Sequence, residues 1–385
     1  MPIPFMMPHG DLIATWQSIV ASQPWQYGAT VWRATAWRAT GGEPMTVRRA
    51  KALNAVLEHC PLRLVPGELL VGVGNLGRYV GSSTYDESEL KAAGEVVAAA
   101  GERDFWGHAN HHCADYPKLL RLGLAGVADE ARQHRSGLDA KGQIFIDSVI
   151  IALEGASTFM RRWSRYLALE AQEFPAQSAL LTTQSEMMAK LADQPPSTFW
   201  ESLQLVLAYH HMMQLDDRGA MAFGRLDQTL YPAYRDDIAA GRTTPDEVQA
   251  LLDHFFVKLT LDEDVQNIVI GGTQPEDGSD VTNPLSYHIL EACKRVGRPG
   301  GNCTARIHRT SPPAFLEKCA EVIRTGIGYP AVTNEEPIIQ GLVEHGYPLE
   351  DARDYCCVGC IETQIPGRQG PWADGRANPL KCIEL

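Results

Sequence analysis

The strongest constraint on this chain is an alternation in its C-terminal half between long segments of helical period and short β-like runs. Apolar residues recur at helical spacing over 244–260, 283–295 and 312–325, and the β-like runs 267–270, 303–308 and 355–358 lie among them. Positions three and four apart share one helix face, whereas a short apolar run suits a strand buried on both sides. Strands separated by helices pair in parallel, because the crossover returns the chain to the same end of the sheet. The pattern therefore predicts an α/β fold. Further helices are predicted over 44–59, 140–170, 174–194 and 198–215, with Pro195-Pro196 and Pro312-Pro313 punctuating helix starts.

Composition narrows the function classes. At 385 residues, with 44% hydrophobic and 21% charged residues, the chain can bury a large core, and no linker or repeat divides 1–385. A net charge of -13 leaves no basic patch for phosphate neutralisation, which argues against nucleic acid. The start, MPIPFMMPHGD, lacks a basic n-region and a continuous apolar core, and no stretch is expected to span a membrane. Nine cysteines without a secreted spacing predict free thiols in a reducing cytoplasm.

Three motifs invite other functions. Gly72-Val73-Gly74-Asn75-Leu76-Gly77 fits a nucleotide fingerprint, but the loop-like run Arg78–Ser83 follows where a helix should open. His108, His111, His112 and Cys113 crowd together, yet no second ligand pair stands at matching spacing. Cys357-Val358-Gly359-Cys360 is a CxxC, but Pro366-Gly367 soon after predicts a loop rather than the helix that would lower a thiol pKa.

The segment Tyr355-Cys356-Cys357-Val358-Gly359-Cys360-Ile361-Glu362 resembles the cysteine loop of glycyl radical enzymes, with Ile for the usual Val. The resemblance extends to Asp351–Tyr355 before the loop, Gly224–Pro232, Gly271-Gly272, Asn283–Tyr287, Arg306–His308 and Gly328–Ala331, in the family's order. It implies one half of a ten-stranded α/β barrel, a five-stranded parallel half-barrel surrounded by helices. It also implies that Cys360 becomes a thiyl radical that abstracts hydrogen from substrate carbon. The radical would be stored on a glycine and installed by a separate S-adenosylmethionine iron–sulfur activating enzyme, with no other cofactor bound. Such enzymes are cytoplasmic in anaerobes, and a homodimer is implied when the chain is complete.

Glu362 lies two residues from Cys360, so in an extended loop thiol and carboxylate would face one pocket and the carboxylate could act as base. The resemblance separates this loop from pyruvate formate-lyase itself, which carries adjacent cysteines and no Glu. The segment Thr363–Asp374 is similar to the tail of glycerol and propanediol dehydratases and marks Asp374 as a substrate-hydroxyl ligand. His111, in His111–Lys118, matches the histidine that binds or protonates a leaving hydroxyl. The implied reaction is dehydration of a small hydroxylated molecule.

Two departures qualify that expectation. Gly219 and Ala220 stand where diol dehydratases carry a His-Ser pair, which predicts a larger or less polar pocket wall. No glycine-radical motif occurs. Arg295–Gly300 has part of one but lacks its Tyr, so the chain reads as an N-terminal domain, 1–385, whose glycine radical domain is absent. The alternatives are a C–N or C–S lyase or decarboxylase of the same family, a fragment or split-enzyme subunit needing a partner chain, and a redox protein using Cys357 and Cys360.

Overall fold

The computed structural model describes residues 28–72, 85–101, 110–262, 264–297 and 300–371, with two isolated positions near the start. Its centre is a parallel sheet of β1 (Gly224–Arg225), β2 (Asn267–Gly271), β3 (Asn302–Ile307) and β4 (Ala331–Asn334), hydrogen-bonded in that order. Four parallel strands, not five, are present among the described residues. The fifth position is a single parallel bridge from Cys113 to Ala222, beside β1. The ladder stops there because Cys113 N is taken by Gln364, its carbonyl by Gly367 N, and a helix begins at Tyr116.

Helices carry the crossovers. Between β1 and β2 run α8 (Leu226–Ala239) and α9 (Pro245–Asp262). Helix α10 (Pro284–Val296) joins β2 to β3, and α11 (Pro313–Ile323) joins β3 to β4. Strand β2 is buried at every residue and β3 at its four central ones, as expected for a sheet covered on both faces. The Asn283 side chain accepts from Leu285 N at 2.9 Å and starts α10, and Gly297 ends it with φ +64°.

The N-terminal part is helical: α1 (Ala29–Ala39), α2 (Met45–His59), α3 (Glu87–Ala99), α4 (Tyr116–Arg135), α5 (Ala140–Glu173), α6 (Ser178–Asp193) and α7 (Phe199–Leu215). Contrary to the sequence expectation, α5 is long and apolar enough to cross a membrane by length and composition. Its apolar residues have another use here, since Leu153, Phe159, Trp163 and Leu167 are buried in the core and the helix packs on α2, α4 and α6.

The chain then passes through α12 (Glu335–Glu344) and α13 (Leu349–Arg353) into a hairpin of β5 (Cys356–Val358) and β6 (Glu362–Gln364). Fully buried Arg306 of β3 aims this hairpin. Its guanidinium donates to the carbonyls of Tyr355 and Arg353, both at 2.6 Å, and lies 3.9 Å from the Tyr355 ring centroid.

Candidate active site

The hairpin tip lies across the N-terminal ends of the parallel strands. Val358 pairs with Glu362, which leaves Gly359, Cys360 and Ile361 as a three-residue turn. Gly359 has φ +54°, a left-handed conformation that L side chains rarely adopt. Cys360 is the exposed thiol among the described cysteines, whereas Cys60, Cys113, Cys293, Cys303, Cys319, Cys356 and Cys357 are buried.

The extended loop expected for Cys360 and Glu362 is replaced by this turn. The Glu362 side chain folds back, and its Oε2 accepts from Cys360 N at 3.0 Å and from Ile361 N at 3.1 Å. Carboxylate and cysteine are still neighbours, but the turn closes them together rather than a shared strand face. A tight turn leaves donors that a strand partner cannot reach, and the carboxylate satisfies two of them.

His111 joins them from more than two hundred residues upstream. A Cβ added at Gly359 would lie 2.0 Å from His111 Cδ2, 2.5 Å from His111 Nε2 and 3.1 Å from Glu362 Oε2. The imidazole therefore rests on the bare face of Gly359, beside the carboxylate. His111 itself has φ +55°, a strained value for a non-glycine residue. It is held there by its N–H, which donates to Gly219 O at 3.4 Å, and by its carbonyl, which accepts from Gln364 Nε2 at 3.3 Å. Gln364 also accepts from Cys113 N at 2.7 Å, which ties β6 to the His111 segment.

The neighbours of His111 go elsewhere. His112 lines an apolar cavity of about 430 Å³ with Leu57, Tyr209 and Met213, and burial lowers its pKa. The Cys113 sulfur would lie 2.8 Å from a Cβ at Gly224. Among the described residues no group of three or more His, Cys, Asp or Glu could hold a metal. In the CxxC, burial pushes the Cys357 thiol up to about 12, opposite to what a redox pair needs. Asp374, His108 and the glycine run 73–77 lie outside the described residues.

Gly219 and Ala220 form a wall of the site through their backbone. Gly359 N donates to Ala220 O at 3.1 Å. Asp264 lies behind them: its Oδ1 accepts from Ala220 N at 3.2 Å and would be 3.7 Å from a Cβ at Gly219. Burial raises the Asp264 pKa. Sequence reasoning missed Asp264, and it missed two asparagines and a tyrosine that hold the turn. Asn267 Nδ2 donates to Cys360 O at 3.0 Å, Asn302 Nδ2 to Gly359 O at 3.4 Å, and Tyr329 OH to Asn302 Oδ1 at 2.7 Å. For the asparagines the available signal was a polar residue at the first position of β2 and of β3, which apolar pattern matching passes over.

The helix-covered parallel sheet is shared with the barrels of glycyl radical enzymes. The chain belongs to the pyruvate formate lyase-like family, whose model matches residues 77–385. It is 32% identical over 324 residues to a probable dehydratase, YbiW, of Escherichia coli, covering 76% of this chain and 39% of that protein. It is 29% identical over 315 residues to the isethionate sulfite-lyase of Oleidesulfovibrio alaskensis, covering 74% and 37%. In structure it is similar to a protein of Roseburia inulinivorans solved for 1,2-propanediol dehydration, with TM-score 0.83 and 25% identity over 94% of this chain and 52% of that one. The chain thus spans about two-fifths of the length of these curated relatives.

Proposed function

We propose that this chain carries the hydrogen-abstracting cysteine of a glycyl radical dehydratase. The observation behind the proposal is the meeting of His111 and Glu362 over Gly359, next to the exposed Cys360. The radical would come from a glycine loop outside these residues, on the rest of the protein or a partner chain, installed by an S-adenosylmethionine iron–sulfur activating enzyme. Cys360 suits that supply, because its sulfur is accessible while the other described thiols are buried. The setting would be the cytoplasm of an anaerobe.

The substrate is a small molecule with hydroxyls on neighbouring carbons. Cys360 Sγ takes a hydrogen atom from one hydroxyl-bearing carbon. Glu362 removes the proton from that hydroxyl, and Oε1 is the oxygen left for it because both turn amides use Oε2. The His111 imidazole donates a proton to the hydroxyl on the next carbon, which departs as water. Cys360 then returns its hydrogen atom, leaving a carbonyl product and one water. Asp374 is proposed to hold a substrate hydroxyl. The glycine and alanine at 219–220 contribute only backbone here, so this wall is shaped for a substrate other than one read by hydroxyl side chains at those positions. A C–S lyase is the second reading, favoured by that wall and by the sulfite-lyase relative.

The test is Glu362→Gln in the assembled, activated protein, assayed with vicinal diols. Loss of carbonyl product with a persisting glycyl radical signal in electron paramagnetic resonance supports the base role. Undiminished dehydration overturns it.

A further inference from the structure

Gly359 is buried and Cys360 exposed, so the turn crosses from the interior to the surface, and its four backbone polar groups are not left to solvent. Instead each is held by a different partner. Gly359 N goes to Ala220 O at 3.1 Å, Gly359 O to Asn302 at 3.4 Å, Cys360 N to Glu362 at 3.0 Å and Cys360 O to Asn267 at 3.0 Å. The partners outside the hairpin come from the approaches to three successive strands: Ala220 before β1, Asn267 at the first residue of β2 and Asn302 at the first residue of β3. The fourth strand contributes as well. Tyr329, just before β4, donates its hydroxyl to Asn302 Oδ1 at 2.7 Å and so fixes which way the amide points. An amide whose oxygen accepts from a tyrosine must present its nitrogen to Gly359 O.

We propose that Asn267, Asn302 and Tyr329 are positioning residues that clamp the Cys360 turn to the starts of the parallel strands. The chemistry explains why such a clamp is useful. With its N–H and its carbonyl both tied, Cys360 keeps only its side-chain torsion, so the sulfur moves on a small arc. Hydrogen-atom transfer between a thiol and carbon needs reacting atoms in near contact, and a small misplacement costs rate steeply. Asn267 is fully buried, which makes its hold rigid, and Tyr329 is close enough to Cys360 for a thiolate there to add to the burial that raises the phenol pKa. The clamp also links the turn to the sheet rather than to the helices, so the cysteine is tied to strands whose centres, β2 throughout and β3 at its four middle residues, are buried.

The proposal rests on Cys360 as the abstracting group for its purpose, but the clamp can be measured directly. Amide hydrogen exchange, read by mass spectrometry on peptides spanning 359–362, is compared between the chain and its Asn267→Ala, Asn302→Ala and Tyr329→Phe variants. Removing a direct hold should speed exchange of the turn amides about tenfold, and Tyr329→Phe about threefold, while peptides over β2 and β3 keep their protection. Tyr329→Phe deletes one hydroxyl from a partly exposed side chain, so it decides the matter if either asparagine variant fails to fold. Unchanged exchange in the turn, or equal acceleration across β2 and β3, overturns the clamp. In the assembled enzyme Tyr329→Phe should lower kcat with KM unchanged. If Cys360 is not the abstracting group, Cys360→Ala stays active while the exchange result stands, which separates the two failures.

Discussion

Two stretches of this molecule hold irregular backbone by side chains, and they differ in what surrounds them. One is the Cys360 turn. The other is the segment 68–72, buried beneath α6, α7 and α9. In the second, Gln184 donates to Glu68 O at 2.6 Å, Trp200 to Leu69 O at 2.9 Å, and His254 Nδ1 accepts from Leu69 N at 3.1 Å. Gln204 both accepts from Val71 N at 2.9 Å and donates to Val71 O at 3.0 Å, mimicking a strand neighbour. Lys258 pairs with Glu68 and donates to Gly72 O at 3.0 Å. There the side chains stand in for a missing sheet partner, since unpaired buried amides would be costly. Around Cys360 the turn emerges from buried Gly359 to an exposed thiol, and its holds come from the starts of separate strands, so the same kind of fixing there sets the position of a surface group. The buried segment serves stability, and the turn is the part proposed to serve chemistry.

Substitutions can break that contrast. The largest effect on stability is expected at Lys258. Its replacement by Met leaves Glu68 buried without its partner and should cost about 3–5 kcal/mol in denaturant unfolding, with much of the loss recovered by adding Glu68→Leu. Gly359→Ala comes next. The new methyl would fall on the His111 ring and the residue would keep a left-handed backbone, so about 1–2 kcal/mol is expected. Turnover of the assembled enzyme should fall about a hundredfold or more, because the imidazole is displaced.

Acid should weaken the buried interior. Burial pushes the His210 imidazole down to about 3 from its usual 6.5. The unfolded chain takes up that proton below about 6.5, whereas the folded one resists until about 3. Stability from this group is therefore complete above 6.5 and lost as pH falls through that window, at up to about 1.4 kcal/mol per pH unit. Urea midpoints measured from pH 7 to pH 4 should decline, and a variant His210→Gln should flatten the slope. The smallest effect is expected for Cys360→Ala, which should move stability by less than about 0.5 kcal/mol because the side chain is exposed and supports no packing.

The sequence pattern located the central elements well where the period was clean. Helices 245–262, 284–296 and 313–323 and strands 267–271 and 302–307 all lie within a few residues of their predicted bounds. Elements with internal interruptions escaped it. Helix α4 carries Gly123 in a non-helical conformation, α8 has Pro232 inside it, and α12 contains Pro337. Strand β1 has two residues and β4 alternates between half-buried and exposed, so neither shows an apolar run. At the site, Cys360 and Glu362 could be singled out because they stand two residues apart in one loop that resembles the family's cysteine loop. His111 was legible only through family resemblance, since nothing in its spacing predicts contact with Gly359. Asn267, Asn302 and Tyr329 were not legible, because their role depends on which strand ends the hairpin crosses.

The central claim is that the exposed thiol of this turn is the group that takes hydrogen from substrate. It is tested most directly by Cys360→Ala in the assembled protein after activation, followed for product and by electron paramagnetic resonance. A full glycyl radical signal with no carbonyl product is the predicted result. Product formation by that variant would contradict the account.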